Sequence, residues 1–300
     1  MDRPATLRAL TGTVGLWTLA HEWVDPRDAG ELALEVEALG YSALWIDESW
    51  GREALTSAAV LLAPTSSLVV ATGIANIWAR DAVATANAAR TLSAWSAQRF
   101  VLGLGVSHRP LVERLRGHSY DRPVATMRDY LSAMDAAPMV AAESAESCPR
   151  VLAALGPTML ALGASATDGV LPYLVTPEYT AVARGVVGAS FLAVEQAAVL
   201  GGDRAEYLRR AHAHLEHYTG LENYRASWRR QGFTDDDYVR GGSERLCDAM
   251  VVHGDEVAVA QRVDEHRRAG ADHVCLQVLG ADVRDAPRDE WRRLAPALTT

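Results

Sequence analysis

A (β/α)8 barrel is the fold class the chain predicts, and three observations predict it. Eight mostly apolar runs recur along the 300 residues, each followed by a stretch with helical spacing, the pattern of parallel βα units. Eight such units close a barrel of about 250 residues. The excess length is gathered in one place, a helical insertion over 203–250 between the seventh and eighth runs. An open doubly wound sheet is the competing architecture, and the unit count favours the closed one. No Gly/Ser linker and no block of like charge divides the chain, so residues 1–300 read as a single α/β domain.

The first strand is 12–17 (GTVGLW). Asp25-Pro26 then supplies an N-cap and a proline for a first helical turn. Ala29, Leu32, Ala33, Val36 and Leu39 follow at helical spacing, and Gly40 stops the helix. Strand two is 41–47 (YSALWID) and strand three 68–74 (LVVATGI), followed by an alanine-rich helix over 81–97. Strand four is 99–104 (RFVLGL), before a helix-rich stretch over 111–136 and an exposed Ala/Ser/Glu/Pro loop over 137–149. Strand five is 151–155, after which Gly156-Pro157 opens a helix to Thr167. Strand six is 169–174, and Thr176-Pro177 caps the next helix. Strand seven lies within 190–199. A helix over 255–269, stopped by Gly270, precedes strand eight, 273–279 (HVCLQVL).

Composition removes several function classes. The net charge is −9, which opposes a phosphate-backbone binder, so no nucleic acid is expected. All 29 cations are arginine; without lysine there is no P-loop, Schiff-base or kinase-type chemistry. Cys148, Cys247 and Cys275 are too widely spaced for a redox pair or a metal knuckle. No H-E-x-x-H, no G-x-S-x-G and no H-x-H on strand one occurs, so no metal is expected. No apolar run nears the ~20 residues that span a bilayer, and no signal-like opening is present. A soluble, cytoplasmic protein with no membrane partner is the expectation.

In a parallel barrel, chemistry collects at the C-terminal strand ends. Asp47 and Glu48 follow strand two; adjacent strand residues point opposite ways, so one can face the mouth while the other supports it. The same pair reads equally as a solvated loop or a helix cap. His108 follows GLGVS (103–107) and is either a proton donor near a cofactor or a satisfied histidine at a helix start. Leu155, Gly156, Pro157 and Thr158 join strand five to a helix whose exposed N–H groups suit an anion, or form a tight turn with no ligand. Gly73, within TGIAN (72–76), marks a bulge or a frayed strand end. Trp17, Trp50, Trp78 and Tyr173 sit at strand ends, able to wall a ring-binding pocket or to be core. His212, His214 and His217 do not share one helical face and read as solvated.

Taken in order, seven stretches carry a resemblance: GTVGLW (12–17), YSALWIDES (41–49), VATGIANIWARDA (70–82), RFVLGLGVSH (99–108), VLAALGPTML (151–160), HYTGLENYRASWRRQGF (217–233) and GADHVCLQVL (270–279). The chain resembles the luciferase-like monooxygenase superfamily, in its actinobacterial branch of coenzyme F420-dependent oxidoreductases. The resemblance implies a flavin or deazaflavin ring at the barrel mouth over a non-prolyl cis bond at Gly73–Ile74, with Asn76 beside it. It implies a cofactor phosphate held by Leu155, Gly156, Pro157 and Thr158, and a homodimer. Asp47 would keep a cofactor contact. Family members often carry Asp-His after strand two and a catalytic glutamate after strand four; here Glu48 and His108 stand in those places, which puts the proton transfer in doubt. The basic residues that grip a sugar phosphate are not evident, so that substrate is not expected. The implied function is hydride transfer between F420 and a small organic substrate, with Glu48 or His108 supplying the proton and Arg80 and Arg109 meeting the anionic coenzyme tail. The alternatives are an FMNH2-dependent monooxygenase fed by a separate reductase, and a non-catalytic flavin-binding barrel.

Overall fold

The computed structural model describes residues 3–141 and 147–299. In chain order the elements are α1 (Arg3–Thr11), β1 (Val14–Trp17), α2 (Ala29–Ala38), β2 (Ala43–Ile46), α3 (Ala54–Leu62), β3 (Val69–Thr72), β4 (Ala75–Asn76), α4 (Ala82–Trp95), β5 (Phe100–Gly105) and α5 (Pro123–Asp135). They continue with β6 (Arg150–Ala153), α6 (Pro157–Ala166), β7 (Gly169–Leu171), α7 (Pro177–Val187), β8 (Phe191–Leu200), α8 (Arg204–Leu215), α9 (Glu222–Arg230) and α10 (Glu244–Met250). The last are β9 (Val251–Gly254), α11 (Glu256–Arg268), β10 (His273–Val278) and α12 (Arg288–Leu298).

Parallel strands run in the order β10-β1-β2-β3-β5-β6-β7-β8, and β8 pairs back onto β10 from Ala193–His273 to Ala198–Val278. That closes the eight-stranded barrel the repeat pattern predicts. Alternation along each strand builds two layers. Ala43 and Trp45 of β2, Val69 and Ala71 of β3 and Cys275 of β10 fill the interior with Phe191, while Leu44, Ile46 and Val70 face the helices. Leu7 of α1 joins the interior cluster. Inside, the Trp45 indole N–H donates to His273 Nε2 at 3.0 Å. His273 Nδ1 lies 3.0 Å from the Gly12 carbonyl, which fixes the proton on Nδ1.

The helix starts follow the capping chemistry of the sequence. Asp81, Thr176, Asp203 and Asp255 each accept a backbone N–H of the first turn, at 2.9, 3.3, 2.9 and 3.0 Å. Asp25-Pro26 departs from expectation: Asp25 closes a turn, accepting from the N–H groups of Arg27 and Asp28, and α2 starts at Ala29. The stretch 111–136 is not one helix. A π-turn over Leu111–Leu115 precedes α5, which starts at Pro123 after the left-handed Arg122. Part of the expected 137–149 loop, residues 142–146, lies outside the described residues. The 203–250 insertion is helical as expected, but VVHG behind it forms β9, which pairs with Ala197–Leu200 of β8 outside the ring. Among the described residues no helix is long and apolar enough to cross a membrane.

Strand three is broken where the bulge was expected. The Gly73–Ile74 peptide is cis, β3 ends at Thr72, and β4 resumes against Leu104 and Gly105 of β5. The Thr72 hydroxyl bridges the gap, donating to the Gly103 carbonyl at 2.7 Å and accepting the Gly103 N–H at 2.8 Å. A Cβ on Gly103 would stand 1.8 Å from the Thr72 carbonyl oxygen, so the strands meet here only because residue 103 is glycine.

Candidate functional site

The C-terminal barrel mouth is filled by aromatic rings. Trp17 ends β1, and its indole lies so near Gly73 that a Cβ there would stand 2.5 Å from the ring. On its other side Trp17 meets Tyr173, ring centres 5.1 Å apart. Tyr173 packs on Tyr218, and Tyr218 on Tyr224, both from the 203–250 insertion. Their hydroxyls form a chain: Tyr218 donates to Tyr173 at 3.1 Å, and Tyr173 to Gln277 Oε1 at 2.7 Å. Burial, and then the neighbouring Tyr218, lift the Tyr173 phenol well above its ordinary pKa. Glu195 of β8 lies buried in the barrel beneath this cluster. Its Oε2 accepts the Leu174 N–H at 3.0 Å, while its Oε1 is buried without a hydrogen-bond partner among the described residues. Burial lifts that carboxyl to about 8, so it holds its proton at neutral pH.

Asp47 and Glu48 divide as strand alternation requires, but their roles differ from expectation. Glu48 is a tie. Its Oε2 accepts the Asn76 N–H at 2.7 Å, its Oε1 accepts the Ala54 N–H at 3.3 Å, and Arg80 pairs with it. Those bonds join the ends of β2, β4 and α3, and a carboxylate so engaged is poorly placed to give up a proton. Arg80 places its Nη2 on Glu48 and, at 2.6 Å, on Glu53, while its buried Nη1 has no hydrogen-bond partner among the described residues. Asp47 keeps one buried oxygen, Oδ1, without a partner among the described residues, and burial raises its carboxyl to about 7. Asn76 is buried, its Oδ1 accepting the Trp78 N–H at 3.0 Å. The Trp78 indole donates to the Val106 carbonyl and stands beside Tyr120 and His118. Trp50 is 67 % exposed, a rim residue where a pocket wall was expected. Arg109 is exposed as well, paired with Glu113.

His108 sits between the mouth and the insertion. Asn223 Nδ2 of α9 lies 3.3 Å from its Nδ1, and His217 and Tyr224 flank its ring. Burial, and then the charge of His217, lower it to about 4. The imidazole is therefore neutral at pH 7, a hydrogen-bonding group or base and not a store of an acidic proton. The histidines of α8 also differ from their solvated reading. His214 packs against Tyr173 and Tyr218, and its Nε2 is buried without a partner among the described residues. His212 bonds the Gly241 carbonyl.

Residues 155–158 form the turn that opens α6. Gly156 caps α6 with extended backbone and Pro157 opens the first turn. The helix's first backbone bond is the Leu160 N–H to the Gly156 carbonyl at 2.9 Å, so the N–H groups of Thr158 and Met159 point outward at the positive end of the helix. Thr158 is exposed there. Arg230 of α9 reaches across to this turn: its guanidinium donates to the Leu155 carbonyl at 2.8 Å and lies 3.7 Å from where a Gly156 Cβ would be. Tyr179 donates to the same carbonyl at 2.5 Å. Residue-by-residue reading missed Arg230, His214 and Glu195. The concentration of Tyr218, Tyr224 and Trp228 in the insertion was the available sign that it turns inward.

The family model described as luciferase-like monooxygenase matches residues 9–273. A Mycobacterium tuberculosis protein provisionally named coenzyme F420-dependent oxidoreductase Rv3520c is 34% identical over 106 residues, 35% of this chain and 30% of that protein. The 5,10-methylenetetrahydromethanopterin reductase of Methanolobus tindarius is 28% identical over 154 residues, 45% of this chain and 46% of that protein. The matches thus span less than half the length of these curated relatives. An F420-dependent secondary alcohol dehydrogenase solved with an F420-acetone adduct superposes with a TM-score of 0.75 at 14% identity, covering 95% of this chain and 98% of that one. The oxygenating constituent of 3,6-diketocamphane monooxygenase from Pseudomonas putida, solved with FMN, gives 0.68 at 14%, with 95% and 98% covered. At such identities the superpositions show the fold.

Proposed function

Since the chain belongs to the luciferase-like monooxygenase family, we propose that it is an oxidoreductase using coenzyme F420 for hydride transfer to or from a small organic substrate. The observation that carries this reading is the convergence, at one barrel mouth, of an aromatic wall and a cationic anion turn. Trp17 and Tyr173 form the wall, and Arg230 lies over the N-terminus of α6. The name of the Mycobacterium tuberculosis relative supports the cofactor.

The residues present fit such a group. The N–H groups of Thr158 and Met159 with Arg230 suit its phosphate, and Leu155, Gly156 and Pro157 shape that turn. Gly73 and Ile74 form the floor that Trp17 covers, with Asn76 and Trp78 behind. His214 Nε2 and Glu195 Oε1, without partners among the described residues, are buried polar positions that a ring with polar edges can satisfy. When bound, the deazaflavin supplies the hydride chemistry. The protein's own part is to bind the phosphate, hold the ring plane, exclude water through Tyr218 and Tyr224, and hold protons. Glu195 carries one at neutral pH, and His108 offers a neutral nitrogen. Asp47 is a polar contact at the edge. Helices α8, α9 and α10 of the insertion act as the lid of one domain. The reading extends to a cytoplasmic homodimer, which light scattering on the purified protein tests.

An FMN-dependent monooxygenase served by a separate reductase is the second reading, favoured by the FMN-bound neighbour. Anaerobic mixing of the protein with reduced F420 and a panel of ketones, imines and enones separates the two. Recovery of oxidised deazaflavin absorbance is expected. Turnover confined to reduced FMN plus oxygen overturns the proposal.

A further inference from the structure

We propose that His21, Glu22 and Asp47 bind a divalent first-row transition-metal ion at the C-terminal ends of β1 and β2. One nitrogen and two carboxylate oxygens, one from each residue, lie within 4.8 Å of one another. His21 is 1 % exposed, and its Nδ1 lies 3.3 Å from the Thr18 carbonyl oxygen. A carbonyl only accepts, so Nδ1 carries the ring proton and Nε2 presents a lone pair. That lone pair meets Glu22 Oε1 at 3.7 Å. His21 Nε2 and Asp47 Oδ1 are both buried, and neither has a hydrogen-bond partner among the described residues. The His21 Nε2 lone pair and the Glu22 and Asp47 carboxyl oxygens therefore converge on one point, and a cation there would satisfy the two atoms that have no partner, displacing any proton that Asp47 holds.

The ion pairs and hydrogen bonds that the neighbouring guanidinium groups make go to other groups. The Arg52 backbone N–H donates to both Glu22 oxygens, at 3.1 and 2.8 Å, but its guanidinium turns away to the carbonyls of His21 and Val24. Arg80 pairs with Glu48 and Glu53. Gly51 makes room for the carboxylate: a Cβ there would stand 1.8 Å from Glu22 Oε2. A carbonyl accepting the far N–H of an imidazole is the usual support behind a metal-ligating histidine. One imidazole with two carboxylates suits Mn2+, Fe2+ or Zn2+, whereas Mg2+ and Ca2+ take all-oxygen sites. Ligand bonds of about 2.1 Å require the three side chains to close inward by roughly an ångström. No metal-ligand spacing marks this site in the chain because its donors come from two separate loops.

Chelator-treated, dialysed full-length protein titrated with MnCl2 and with ZnCl2 by calorimetry, with bound metal counted by mass spectrometry, tests the inference without any coenzyme. Failure of the F420 reading therefore leaves it standing, and the reverse holds too. One equivalent per chain is expected. His21→Gln and Glu22→Gln are each expected to weaken binding roughly ten-fold or more, and Gly51→Ala to weaken it by displacing the Glu22 carboxylate. Absence of binding by the wild-type protein at millimolar metal overturns the proposal, as does equal binding by folded variants. Should a variant not fold, pulsed EPR of the Mn2+-loaded wild type decides: coupling to one histidine nitrogen is expected, and its absence overturns the proposal.

Discussion

Replacing Glu48 separates a tie from a proton donor. Glu48 accepts N–H groups from Asn76 and Ala54 and pairs with Arg80, all in a buried setting. Glu48→Ala leaves Arg80 with Glu53 alone and strands two backbone donors. Breaking a buried pair costs about 3–5 kcal/mol, and each orphaned donor about 1–3 kcal/mol. Glu53, half-exposed at 2.6 Å from Arg80, recovers part of the pair, so a net loss of about 4 kcal/mol is expected, a large share of a typical 5–15 kcal/mol stability. Glu48→Gln keeps the shape and one acceptor while losing the charge, and a loss of about 2 kcal/mol is expected. Urea unfolding followed by tryptophan fluorescence measures both. The Gln variant, once folded, is expected to keep the shape of the pH–rate profile. Unchanged stability with a drop in kcat of roughly a hundred-fold or more, the loss of a general acid, would refute this reasoning.

Other outcomes follow from the same geometry. His266 and His273 are buried and hydrogen-bonded, and burial lowers them to about 3 and about 4. The unfolded chain binds protons that these rings refuse, so their stabilisation is complete above pH ~6.5 and is lost as pH falls from there toward 4, by about 1 kcal/mol per pH unit per ring; urea midpoints from pH 4 to 7 check this. Glu195 works the other way. Its raised carboxyl contributes stability that is present below 4.5, its ordinary value, and is lost as pH rises through about 8; with the urea midpoints extended to about pH 9, Glu195→Gln is expected to flatten that loss. Gly103→Ala drives a methyl into the Thr72 carbonyl and is expected to cost about 3 kcal/mol or more, read as loss of soluble, cooperatively melting protein.

Much of the barrel was legible because its cause is local. Apolar runs with glycine and proline stops set the eight barrel strands, and Asp81, Thr176 and Asp255 cap helices as their side chains allow. β9 was not legible: VVHG is too short to stand out, and it becomes a strand only because β8 extends past the ring to receive it. The turn that opens α6 was visible since Gly156 and Pro157 are adjacent, but Arg230, 75 residues away from its Leu155 partner, was not. Glu48 and Arg80 misled for the same reason. Their pairing spans 32 residues, and each looks available until the other is in place.

An equilibrium titration of the purified protein with coenzyme F420 and, separately, FMN, followed by cofactor fluorescence, tests the central claim most directly. The account predicts one F420 per chain, FMN weaker, and an F420 affinity lowered roughly ten-fold by Arg230→Ala, about the 1.5 kcal/mol of one charge-assisted contact. Binding of FMN alone, or F420 binding indifferent to Arg230, would contradict it.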